Sequence, residues 1–224
     1  MNLIKFTSLL LLKNKKLHCL LTLVLFGCLI IQGMSADEPG AYWYNSFLYV
    51  FVFSPMLLIN YSVVAQPSMN QIIRYRQGHL KLQLSVIQCL FFSIVFALLM
   101  FLGALILDSK DNLFSQLSLN SLNGVSVLMM TIEYLAIFNS IKLLLPSSYL
   151  ATLLMWLMLF FDIILIQKIN WLVEWLSVWH NFQIINQLSQ WDFAHYIPTI
   201  GRILIYIGIS AIISVKKEND HVYT

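Results

Sequence analysis

Residues 82–107 read LQLSVIQCLFFSIVFALLMFLGALIL, with no Asp, Glu, Lys or Arg among them. A bilayer core about 30 Å thick takes about 20 apolar residues of helix, and inside lipid a helix satisfies its own backbone hydrogen bonds. The run is expected to be a transmembrane helix. Five further segments of the same kind lie on either side of it, roughly Leu17 to Gly33, Phe47 to Ala65, Leu122 to Leu145, Tyr149 to Gln167 and Ile197 to Val215. The expected fold is all-α: a polytopic membrane protein with six transmembrane helices.

Composition agrees with this. The 224 residues are 59% hydrophobic and 10% charged, with a mean hydropathy of +0.79, whereas a soluble domain carries about 25% charged residues. Residues 1–224 are expected to form a single membrane domain, with no room for a soluble one. The net charge of +3 does not point to nucleic acid, because the cations are spread in a way that membrane orientation accounts for. With alternate sides assigned to the loops, Lys5, Lys13, Lys15, Lys16, Arg74, Arg76, Lys81, Lys142, Lys216 and Lys217 fall on one side, and Lys110, Lys168 and Arg202 on the other. Cytoplasmic loops carry the excess of Lys and Arg, so the expectation is a multi-pass protein of the cell membrane with both termini cytoplasmic.

The connections are uneven. Residues 1–16 alternate apolar runs with lysines and are expected to form a helix on the inner surface, where apolar side chains and Lys together favour an anionic interface. Lys13, Lys15 and Lys16 before an apolar run also resemble the start of a signal peptide, but cleavage after Ala36 would need a small residue where Met34 stands. An uncleaved first span is the expectation. Pro55 should disturb the second span by removing a backbone hydrogen bond, and Pro146, Ser147 and Ser148 make the tightest turn between spans. The cytoplasmic loop 66–81 (QPSMNQIIRYRQGHLK) has room for a short helix from about Met69 to Arg76. Between spans five and six, residues 168–196 form an external loop in which Trp171, Trp175, Val178, Trp179, Phe182 and Ile185 recur at three-and-four spacing. That spacing predicts an amphipathic helix lying in the outer interface or dipping into the bundle.

Few side chains in the spans invite chemistry. Cys19, Cys28 and Cys89 read as small apolar residues, since no C-x-x-C or Cys/His cluster is present. Glu133 falls in the middle of the fourth span, where an ionisable group is costly. It reads either as a neutral carboxyl bonded to a neighbouring helix or as part of a transport pathway. Asp162 and Arg202 each lie about five residues inside the outer ends of their spans, about 7 Å deep at 1.5 Å per residue. They are expected to pair, the alternative being Arg202 snorkelling alone to the headgroups. Lys142 is expected to anchor the inner end of its span. No G-x-S-x-G, H-E-x-x-H or G-x-x-x-x-G-K-[ST] occurs. No catalytic, cofactor-binding or metal site is expected, and His79 with Cys89 gives only a faint suggestion of a membrane cysteine peptidase.

The layout of six spans with both ends inside, a basic loop between spans two and three and a helical external loop between spans five and six resembles the permease subunits of ABC-2 type exporters. It is most similar to the small Gram-positive permeases associated with bacteriocin or other peptide export and self-immunity. Ile72-Ile73-Arg74-Tyr75-Arg76, followed by His79, Lys81 and a long apolar span, is similar to the basic approach to the third helix in that family. The resemblance implies that the loop carrying Arg74, Tyr75, Arg76, His79 and Lys81 couples to a separate ABC ATPase subunit, which would bind ATP and magnesium. It also implies a second permease, either another copy or a related chain, facing this one across a central path. The external segment with Trp171, Trp175, Trp179 and Trp191 would form the upper gate. On this reading the chain is not itself an enzyme and its partners are the ATPase, the second permease and membrane lipids. The competing readings are a non-transporting binding or immunity protein, the substrate-binding component of an importer, and an intramembrane enzyme using Glu133 or Asp162.

Overall fold

The computed structural model describes residues 14–34, 49–62, 80–107, 113–145, 147–164, 177–178 and 196–222. They are almost wholly helical. In chain order the helices are α1 (Lys15–Met34), α2 (Ser54–Ser62, preceded by a π-helical turn Tyr49–Phe53), α3 (Leu80–Leu107), α4 (Leu113–Leu144), α5 (Ser148–Ile164) and α6 (Ile197–Val222). The coupling-loop residues Arg74, Tyr75, Arg76 and His79, the Trp residues 171, 175, 179 and 191, and the surface segment before residue 14 lie outside the described residues.

Among the described residues three stretches are long and apolar enough to cross a membrane: Gln83–Ile106, Asn123–Leu144 and Ile197–Lys216. Tyr49–Ser62 and Ser148–Ile163 are shorter apolar helices. Pro55 lies inside the continuous helical stretch Tyr49–Ser62, two residues past the point where the π-helical turn passes into α-helix, so the backbone hydrogen bond it removes falls at a local change of helix type.

Side-chain contacts fix the direction of each helix. Phe101 packs 3.5 Å from the position a Cβ on Gly124 would take, and the Cys89 thiol reaches the Ile132 carbonyl at 3.7 Å. Moving back along α3 therefore means moving forward along α4, so the two are antiparallel. The Tyr134 hydroxyl, on α4, donates to the Met155 carbonyl on α5, and the short connection between the two helices makes α5 antiparallel to α4. Ser54 pairs with Tyr134 and Tyr61 with Asn139, so α2 runs parallel to α4. Arg202 meets Glu133 and Ser210 meets Ser140, so α6 does too. His18, in the first turn of α1, bonds Asn60 in the last turn of α2 at 3.0 Å. Each helix thus runs opposite to the one before it, and Lys15, Lys16, Lys142 and Lys216 gather at one end of the bundle.

α4 is the central helix, packed on α3, α5 and α6, and its sequence explains why. Asn123, Ser126, Thr131, Glu133, Asn139 and Ser140 are all buried, and each polar group needs a partner that an apolar surrounding does not offer. The outer helices show the reverse pattern. Leu90, Ile94, Leu98, Leu102 and Ile106 form an exposed stripe along α3, and Leu204, Ile205, Ile209 and Ile212 another on α6. Polar groups at the centre with large apolar side chains outside suit a surrounding of lipid. Between them, Tyr61 stands edge-on to Phe92 and Phe138 at centroid distances of 5.8 and 5.7 Å, and Phe53 edge-on to Phe96 at 5.4 Å. This is the geometry that ring quadrupoles favour.

The loop between α5 and α6 reaches inward where it is described. Ser177 and Val178 are buried, and Val178 shares a void of about 10 Å³ with Tyr49, Phe53, Met130, Thr131, Tyr134 and Leu159.

Candidate functional site

Glu133 stands ten residues beyond Asn123, near the middle of its apolar stretch, and its side chain is 1% exposed. A carboxylate there needs several hydrogen bonds. Two come from Arg202 in a fork: Nε donates to Oε1 at 2.5 Å and an Nη donates to Oε2 at 3.2 Å. Bidentate guanidinium–carboxylate pairing is the strongest such geometry, because the planar fork matches both oxygens at once. Arg202 also donates to Thr199 Oγ1 at 3.3 Å, one turn back along α6. Only 12% of the Arg202 side chain is exposed.

The expected Asp162–Arg202 pair is corrected by this arrangement. Matching backbone depth does not decide the partner. The order of helices around α4 does: α6 packs on α4 and α3, whereas α5 packs on α4 and α2. The guanidinium turns into the bundle to Glu133, so the alternative of Arg202 snorkelling outward fails as well. Asp162, buried on α5, stands close enough to Glu133 and Tyr134 for its charge to act on both. The charge of Asp162 therefore bears on the same carboxylate that Arg202 pairs with. Glu133 is bonded to a neighbouring helix, with Arg202 as the partner, an arrangement compatible with either of its readings from sequence.

Other polar ties, which no motif in the sequence marks, hold the helices in register around this centre. The Ser54 hydroxyl lies 2.5 Å from the Tyr134 hydroxyl, which itself donates to Met155. Tyr61 donates to Asn139 Oδ1 at 2.7 Å and lies 3.2 Å from the Ser85 carbonyl. Ser140 and Ser210 join α4 to α6 at 2.9 Å, and Trp156 Nε1 donates to the Val50 carbonyl at 2.8 Å. The signal for them was the recurrence of Ser, Thr and Asn on one helix otherwise apolar enough to span. Lys142 lies 5.6 Å from the centroid of the Tyr61 ring, a cation–π contact at the end of α4 where an anchor was expected. Among the described residues no three His, Cys, Asp or Glu side chains come together as metal ligands do. Cys19, Cys28 and Cys89 are free thiols.

No family model matches the chain, and neither the curated proteins nor the solved structures yield a match.

Proposed function

We propose that this chain is the six-span permease subunit of an ATP-driven exporter for peptides or other amphipathic compounds, working with a separate ATPase and a second permease. The observation that carries the proposal is the Glu133–Arg202 pair at the heart of the bundle. Ionisable groups at this depth face the bundle interior and mark transport pathways more often than lipid-facing positions. Alternation of six helix directions, with the described cationic ends gathered on one side, supports an even number of crossings with both ends cytoplasmic.

Single cysteines introduced into a chain lacking Cys19, Cys28 and Cys89 test the orientation. Glu38→Cys and Ile185→Cys should react with an impermeant maleimide in intact cells, and Gly78→Cys and Asn219→Cys only after permeabilisation. Labelling at Gly78→Cys in intact cells would overturn both the topology and the coupling role of its loop.

The transport reading has its own test. The tagged chain, purified in mild detergent from membranes of its native host, should carry a vanadate-sensitive ATP hydrolysis activity belonging to a second, soluble polypeptide. Purification to homogeneity with full recovery and no such activity would favour a binding or immunity protein that moves nothing.

A further inference from the structure

Between α3, α4 and α6 a crevice of about 30 Å³ is lined by Ser85, Cys89, Ala136, Asn139, Ile207 and Ser210. It opens beside Leu90, which is 42% exposed, on a face whose other outward residues are Ile94 on α3 and Ile209 on α6. Its mouth is apolar and its floor is not. Asn139 is 8% exposed, and its Oδ1 already accepts from Tyr61. Among the described residues the hydrogen bond of its amide is the one to Oδ1, and the side chain lines the crevice.

We infer that this crevice receives the acyl-ester carbonyl of a phospholipid from the cytoplasmic leaflet, with Asn139 Nδ2 as the donor. The inference rests on the six-span orientation proposed above. Three features choose this occupant. An amide N–H needs an acceptor, because an unsatisfied donor in apolar surroundings is costly. The space suits a carbonyl and an adjoining methylene, while a drug-sized ligand needs at least about 300 Å³. The depth is right as well. Asn139 lies one turn from Lys142, at the cationic end of α4, where ester groups meet the hydrocarbon.

The test uses the full-length chain reconstituted in phosphatidylcholine vesicles containing a phospholipid with a diazirine beside the ester, or a second with the diazirine at the acyl terminus. After illumination, labelled peptides are mapped by mass spectrometry. The ester-proximal probe should label residues 132–139 or 207–210, and the terminal probe should instead label the α3 stripe around Leu98 and Leu102. Ala136→Phe, which fills the crevice, and Ile207→Trp, which narrows its mouth without entering the core, should each cut ester-proximal labelling of those peptides about fivefold or more. Asn139→Ala should cut it about fivefold, the worth of one hydrogen bond. The α3 stripe should keep its labelling in every variant. If the ester-proximal probe labels the crevice peptides no more than the terminal probe does, or if both filling variants leave labelling unchanged, the crevice holds water only and the inference fails. Loss of α3 labelling by the terminal probe in the unsubstituted chain would instead refute the membrane placement.

Discussion

Glu133→Ala is expected to lower the unfolding free energy of the bundle by about 3 kcal/mol, the range found when one partner of a buried ion pair is removed. The cost does not come from losing attraction alone. Arg202 would remain turned inward with two donors unpaired, and an arginine deep in a helix bundle costs about 2.5–3.5 kcal/mol when nothing receives it. Glu133→Leu combined with Arg202→Leu should therefore be milder than either single change, since no charge is left behind. Unfolding in mixed detergent micelles, followed by tryptophan fluorescence, measures each member of the set. A Glu133→Ala protein within about 0.5 kcal/mol of the unsubstituted chain, a change typical of neutral surface sites, would mean the pair does not hold the bundle.

Arg74→Glu with Arg76→Glu is expected to abolish the co-purifying ATP hydrolysis while leaving membrane insertion intact. The loop 66–81 carries three cations, and reversing two of them inverts its charge against an acidic partner surface. Reversals of this kind act on association more than on packing. Insertion should survive because Lys15, Lys16, Lys81, Lys142, Lys216 and Lys217 still bias the orientation. The readouts are the ATPase recovered per mole of chain, expected to fall at least tenfold, and the maleimide pattern at Asn219→Cys, expected to be unchanged. Full ATPase recovery in the double variant would assign the two arginines to anionic headgroups instead.

Helix existence and spacing were legible in the sequence because burial in lipid demands long uninterrupted apolar runs, and soluble folds seldom contain runs of that length. The segments read as Leu82 to Leu107 and Ile197 to Val215 lie within α3, which begins at Leu80, and α6, which runs on to Val222. The span read as Leu122 to Leu145 recurs in α4, whose helix begins earlier, at Leu113.

The partner of Arg202 was not legible. Sequence gives the depth of a residue along its own helix, and depth alone matched Arg202 to Asp162. Which helix stands beside which is set by packing, and here the polar face of α4 draws α6 to one side and α5 to another. The long stem of Arg202 then reaches Glu133 at a different level. Sequence by itself determined that this chain is a bundle of apolar helices with its cations biased to one side, because both follow from the cost of polar groups in lipid. Only the tertiary structure decided that Glu133, and not Asp162, receives the guanidinium, because a hydrogen bond depends on the distance between two helices and no single helix carries that information.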